Sequence, residues 1–270
     1  MKLYKSNEEV EIQRQSCLMV SKTLTEIAKM IQPGMQTIKL DDFAYEFIKD
    51  NGGFPSFKGY HGFPYSLCIS VNEQVVHGFP SSYELKDGDI VSVDCGVYMN
   101  GFHGDHAYTF IIGEVPQELL DLVRITKESV YLGCRQAIAG NRVGDISYAI
   151  ETHTNGKHGY GVVRELVGHG LGKQMHEDPP VPNYGRRGSG KRLIENQVLA
   201  VEPMINLGTR HVDFWDDGWT VVTRDGKPSV HFEHDVCVRK DHGEILSDYS
   251  IIEAAEKQNI NLNSSYYELK

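Results

Sequence analysis

Apolar residues recur at helical intervals near the start of the chain. Val10, Cys17, Val20, Leu24, Ile27 and Ile31 follow one another at steps of seven, three, four, three and four. That is one stripe of a 3.6-residue period and predicts an amphipathic helix, which Pro33-Gly34 stops. A second helix is expected from about Asp41, where Leu40, Phe43, Ala44, Phe47 and Ile48 share a face and Asn51-Gly52-Gly53 supplies a C-terminal stop. The period then changes. SLCISV (66–71) reads as a strand, and IVSVDCGVYM (90–99) and FHGDHAYTFIIG (102–113) read as two strands joined through Asn100-Gly101, a strong two-residue hairpin signal.

The pattern then recurs. Leu119, Val123, Val130, Cys134 and Ile138 mark a long helix expected to end near Ala139-Gly140. A shorter one from about Asp145 to Thr154 carries Ile146, Ala149, Ile150 and His153, and VVRELVGHGLG and the strand-like QVLAVEPMINL follow. Aligning the halves sets VVHG (75–78) beside VGHG (167–170) and IVSVDCG (90–96) beside VLAVEPM (198–204). His77 then matches His169, Asp94 matches Glu202, and GDHAYTF corresponds to HFEHDVCV. The spacings differ between halves, which indicates a diverged duplication rather than a solenoid. Helices ahead of strands in each half predict a single α+β domain with a curved, largely antiparallel sheet and helices outside it. Its halves are about 1–115 and 116–250; residues 251–270 carry no motif and read as a peripheral helix and tail.

Composition narrows the class. A chain of 270 residues, 40% hydrophobic and 24% charged, is an ordinary globular protein with ample length for a core. Its formal charge of -10 argues against nucleic acid or an anionic membrane as the main partner, since both attract basic surfaces. Five cysteines, odd in number and never in a CxxC pair, form neither a disulfide framework nor a zinc knuckle. The opening MKLYKSNEEVEIQRQ has no apolar signal region, and no run of eighteen apolar residues occurs. A cytoplasmic protein is the expectation.

The candidate chemistry lies in the hairpin. With a two-residue loop at Asn100-Gly101, Met99 pairs with Phe102 and Asp94 with Ala107, which sets Asp105 diagonal to Asp94 on one face. Two carboxylates side by side in apolar strands repel and are poorly solvated, so a cation should sit between them. No lysine or arginine occurs from Ile90 to Phe110 or from Val198 to Leu207. The second half repeats the device: Glu202 ends an apolar strand, Glu233 is expected inside another, and His169 stands between glycines that allow close backbone approach. Four carboxylates and one imidazole suit a dinuclear site of hard-to-borderline divalent ions, not structural zinc. Co, Mn, Fe and Zn fit this set alike.

The stretches GYHGFPYSLCISVNEQVVHGFP (59–80), LKDGDIVSVDCGVYMNGFHGDHAYTF (85–110), GHGLGKQMHEDPPVPNYG (168–185), VLAVEPMI (198–205) and HFEHDVCV (231–238) closely resemble type I methionine aminopeptidases in their short bacterial form. The likeness runs over about residues 7–250, in order and with similar spacing. It implies the pita-bread fold, with pseudo-twofold halves around a dinuclear metal site. It implies that Asp94 holds one ion, that His169 and Glu202 hold the other, and that Asp105 and Glu233 bridge them. His77 and His176 match the family's two active-site histidines that are not ligands, and Tyr60, Phe63, Cys68, Met175 and Trp219 fall where it lines a methionine pocket. Aromatic and sulfur-bearing walls suit a thioether. By alternation, Cys95 and His106 face away from the ligands that precede them.

The resemblance implies release of the initiator methionine from nascent chains with a small second residue, by dinuclear metal-hydroxide attack on the peptide carbonyl. His176 and one metal would steady the oxyanion, Glu202 would carry a proton to the leaving amine, and His77 would contact the scissile amide. The implied partner is a peptide N-terminus, with docking on the ribosome left open, and the implied state is a monomer. Two other readings stand beside it. An X-Pro aminopeptidase or prolidase shares the five ligands but usually carries a further amino-terminal domain, whereas about ninety residues precede Asp94 here. A non-catalytic pita-bread binding protein would have lost ligands, and all five are present.

Overall fold

In the computed structural model, which describes residues 4–267, Ser6 caps the first helix, α1 (Asn7–Met30). Its hydroxyl accepts from the Glu9 N–H, and the Glu9 carboxylate accepts from the Ser6 N–H. This reciprocal pair satisfies two donors that a helix start leaves free. The expected stripe from Val10 to Ile31 is fully buried. The second helix, α2 (Thr37–Asp50), begins before Asp41. Asp41 instead accepts from the backbone N–H groups of Ser66 and Leu67, at 2.8 Å each, and so ties the helix to the first long strand.

The third helix, α3 (Gln117–Cys134), ends short of the expected Ala139-Gly140 stop. Ile138 and Ala139 leave it to meet Arg239, whose carbonyl accepts from the Ala139 N–H at 2.8 Å. The fourth, α4 (Val143–Glu151), starts two residues early and continues into a wider turn at Thr152–Gly156.

Among the described residues the expected antiparallel sheet structure is divided into four short sheets. In the first, the Ile90–Met99 strand lies between Phe102–Ile111 on one side and Leu67–Val71 and Phe54–Pro55 on the other. In the five-stranded sheet, Val198–Val201 lies between His234–Val238 and Gly168–Gly170, with Gly243–Ile245 and Glu177–Val181 at the edges. Each half thus sets one acid at or beside a central strand and the other within or beside its neighbour. The alignment of His77 with His169 is looser. Gly168–Gly170 pairs directly with the acidic strand's counterpart, whereas His77 lies beyond Leu67–Val71, where the Gly78 carbonyl accepts from Ile69.

Of the expected peripheral segment 251–270, residues 268–270 lie outside the described residues, and the rest pack against the body of the protein. The last helix, α5 (Ser250–Glu256), buries Ile252 and Glu256 completely, and Tyr266 is buried as well. The Glu256 carboxylate accepts from the hydroxyls of Tyr108 at 2.7 Å and Tyr266 at 3.1 Å. Lys127 Nζ lies 3.2 Å from the Tyr108 hydroxyl and 2.7 Å from Glu253. Asn259 donates to the Ala28 and Ile31 carbonyls at the end of α1. An ammonium, a carboxylate and phenols carry no apolar periodicity, so the hydrophobic pattern is blind to this anchoring. All five cysteines are free and buried. No helix among the described residues is long and apolar enough to cross a membrane.

Candidate metal centre

The hairpin register is the expected one. Met99 pairs with Phe102, Asp94 with Ala107 and Gly96 with Asp105, so the two aspartates sit diagonally on one face. Cys95 and His106 take the other face, where Cys95 joins the main core and His106 Nε2 meets the Ser21 hydroxyl at 3.2 Å. The glutamates arrive differently. Glu202 stands between Val198–Val201 and Met204–Asn206, and Glu233 stands between Ser229–His231 and His234–Val238, not within a strand. At both places the chain passes between the five-stranded sheet and a three-stranded one in which Met204–Asn206 pairs with Ser229–His231. Two adjacent crossings free two side chains from sheet alternation and aim both carboxylates into one gap.

His169 completes the cluster. A Cβ at Gly168 would stand 2.3 Å from the Ala200 carbonyl oxygen, and one at Gly170 would stand 2.3 Å from that of Asp178. Only glycine permits this approach on both sides. The His169 Nδ1–H donates to the Gly170 carbonyl at 2.9 Å, which leaves Nε2 with its lone pair free. That nitrogen lies 3.5 Å from Glu202 Oε1 and 3.8 Å from Asp105 Oδ2. Such gaps are long for hydrogen bonds but suit donors that each reach a common ion at about 2.0–2.2 Å.

The electrostatics point the same way. Buried oxygens of Asp94, Asp105 and Glu233 have no hydrogen-bond partner, although such atoms are paired in most native structures. Among the described residues only histidines approach Asp105, Glu202 and Glu233 within ion-pair distance. Burial pushes the Asp94 carboxyl up to about 7, and burial with mutual repulsion holds Asp105, Glu202 and Glu233 well above the usual carboxylate range. Burial lowers His169 to about 3, so its imidazole is neutral. These residues fit divalent cations, which would pair the orphaned oxygens and relieve the repulsion.

His231 was not singled out by sequence. Its buried Nε2 has no partner and lies 4.0 Å from Glu202 Oε2 and 3.9 Å from Glu233 Oε2. Donor atoms of Glu202, His231 and Glu233 fall within 4.8 Å of one another, as do those of Asp105, His169 and Glu233. The signal was the His-x-Glu spacing, which shares a face in any strand-like run. Asp94 belongs to neither triplet but lines the same cavity.

That cavity, of about 220 Å³, adjoins the carboxylates on one side and an apolar wall on the other. Phe57, Phe63, Cys68 and Met175 pack as a separate buried cluster, with Tyr60 and Trp219 against it. Phe63 meets Trp219 edge to face with ring centres 5.1 Å apart. Cys68 pairs across strands with Asp94, which sets the wall directly beside the acids. All five expected wall residues are brought together here; Phe57 and His61 join them, and nothing in their sequence context marked either. His77 holds a left-handed backbone (φ 59) and is lowered by burial to about 4. His176 stands at the mouth, its Nδ1 2.7 Å from the Tyr60 hydroxyl.

A site of this make-up can activate water and hold a peptide end. Residues 11–240 match the model of metallopeptidase family M24. The chain belongs to this family. Within M24 it is 50% identical to the methionine aminopeptidase of Clostridium perfringens over 92% of this chain and 99% of that protein. It is 46% identical to methionine aminopeptidase 1 of Bacillus subtilis over 92% and 99%. The crystal structure of methionine aminopeptidase from Rickettsia prowazekii superposes with a TM-score of 0.90 at 36% identity, covering 92% of this chain and all of that one. The prolidase of Pyrococcus furiosus, at 22% identity, TM-score 0.73 and coverages of 91% and 65%, shares the fold alone. The fold is therefore the pita bread of M24, and the protein is a metal-dependent aminopeptidase.

Proposed function

We propose that this M24 member removes the N-terminal methionine from newly made polypeptides whose second residue is small. The observation that carries the reading is the joining of two surfaces in one small cavity, sulfur and aromatic groups facing carboxylates and histidines. Its volume of about 220 Å³ lies below the roughly 300–1,000 Å³ of sites for larger ligands. That size suits one medium apolar side chain.

Asp94, Asp105, His169, Glu202 and Glu233 would hold two divalent ions, with Asp105 and Glu233 contributing to both. The ions, of Mn, Fe, Co or Zn, would supply Lewis acidity and lower the pKa of water. The chain's own groups do the rest. Tyr60 donates its hydroxyl hydrogen to His176 Nδ1, which leaves the proton on Nε2, free to be given to a developing oxyanion. Glu202 carries a proton toward the leaving amine, and His77 contacts the scissile amide. The substrate's free amine is attracted by the surrounding carboxylates. Tyr60, Phe63, Cys68, Met175 and Trp219 seat the methionine side chain. The two halves, about 1–115 and 116–250, act as one catalytic domain, in a cytoplasmic monomer that meets its substrates as they leave the ribosome.

The test is mass spectrometry of peptides that differ only in their first two residues, with metal-reconstituted protein. Met-Ala and Met-Gly ends should be trimmed and Met-Leu ends left whole. Release of the first residue from Ala-Pro ends, with Met-Ala untouched, would overturn the reading in favour of X-Pro hydrolysis.

A further inference from the structure

Glu233 sits where the chain changes sheets, so its peptide lacks a full place in either ladder. Its N–H reaches the Ala107 carbonyl at 3.1 Å, across the seam between the two acidic strands. A third element closes this seam. The Tyr249 hydroxyl accepts from the Glu233 N–H at 2.9 Å and lies 2.6 Å from both the Ala107 and the Glu233 carbonyl oxygens, which share its single hydrogen as alternative acceptors. The phenol is buried and has no freedom to leave. Its ring lies over His234 with centres 3.7 Å apart, meets Tyr108 edge to face at 5.0 Å, and touches Tyr131 and Phe232.

Tyr249 lies beyond residues 11–240 that match M24. Its place is set from both sides: the Asp248 N–H donates to the Ser21 hydroxyl on α1, and α5 follows at once, held through Glu253 and Lys127.

We infer that Tyr249 is a positioning residue for the two carboxylates shared between the ions. The inference rests on the metal reading above. Asp105 lies two residues before Ala107, and Glu233 is the other shared ligand, so one hydroxyl bonds the backbone that carries both. Their separation is the quantity a bridged pair of ions depends on. Remove the hydroxyl and the two carbonyls lose the O–H they share, while the Glu233 N–H keeps only the longer contact to Ala107; the peptides shift, and the carboxylates shift with them.

The experiment titrates Co(II) into metal-free native protein, Tyr249→Phe and Tyr266→Phe, followed by calorimetry and by visible absorption of the bound ion. Tyr266→Phe also removes one buried hydroxyl from the C-terminal segment, but one that bonds Glu256 rather than the seam. Tyr249→Phe should weaken at least one Co(II) site about tenfold or more, the range for losing a partner behind a metal ligand. It should alter the spectrum and lower kcat with KM little changed. Tyr266→Phe should lower Tm and keep native affinities and spectrum. Native affinities, spectrum and kcat in folded Tyr249→Phe would overturn the inference, as would equal losses in both variants. No Co(II) uptake by the native chain would overturn the metal reading, and this inference with it.

Discussion

The Tyr60 hydroxyl lies 2.7 Å from His176 Nδ1 at the mouth of the cavity. Burial lowers the His176 pKa, so the ring is neutral and one nitrogen alone carries a proton. A phenol is the better donor of the pair, and its hydrogen bond to Nδ1 keeps that proton on Nε2. His176→Ala should cut kcat by about 100- to 1,000-fold, the effect of losing one oxyanion donor, with metal content and Tm nearly native. Tyr60→Phe should cost less, since the ring keeps its proton but loses its fixed tautomer. Steady-state kinetics with metal analysis checks both. Unaltered kcat/KM in metal-loaded His176→Ala would return this histidine to a packing role.

Metal dependence follows from the unpaired carboxylate oxygens. Chelation should abolish activity, and Mn(II) or Co(II) should restore it. Asp105→Asn and Glu233→Gln should each weaken both ions, whereas Asp94→Asn should weaken one. Elemental analysis after dialysis against limiting metal distinguishes these outcomes. Two ions held at native affinity by Asp105→Asn would refute sharing by that residue.

The carboxylate cluster also sets a pH dependence for the metal-free protein. Buried histidines are neutral in the folded chain, and those of the unfolded chain titrate near about 6.5, so histidines drop out only above about pH 7.5. Asp94, raised to about 7, and Asp105, Glu202 and Glu233, held well above the usual carboxylate range by burial and mutual repulsion, keep proton occupancy that the unfolded chain has lost. The folded state then binds more protons than the unfolded one, and stability falls as pH rises. Tm of chelated protein should decline between about pH 7.5 and 8.5. Saturating Mn(II), which displaces those protons, should flatten the decline. A chelated Tm that rises over this range would contradict the account.

The aromatic wall predicts a split in substrate kinetics. Trp219→Ala should raise KM for Met-Ala peptides more than it lowers kcat, because the wall grips the side chain equally before and during reaction. Norleucine should replace methionine with a loss of no more than about 10- to 200-fold, since a pocket discriminates one methylene by about 1–3 kcal/mol. Lysine and glutamate should fail for want of a buried partner. Comparable rates for Met-Ala and Lys-Ala would show that the wall does not select the substrate.

Local sequence decided a good deal of this protein. The Val10–Ile31 stripe, the Asn100-Gly101 turn and strand alternation depend on neighbours a few residues apart, and together they determined α1, the hairpin register and the placing of Asp94 with Asp105 on one face. The repeat and the lack of nearby cations made Glu202, Glu233 and His169 candidates for the same site, and the family's stretches named the wall. Tertiary structure alone decided the rest. Glu233 is aimed by a crossing between sheets, which no period records. Phe57 and Tyr249, and His231 in its approach to Glu202, matter through contacts at separations in sequence that local patterning does not span. The C-terminal segment is held by hydrogen bonds among Glu256, Tyr108, Tyr266 and Lys127, groups that read as surface until the partners that satisfy them are folded around them.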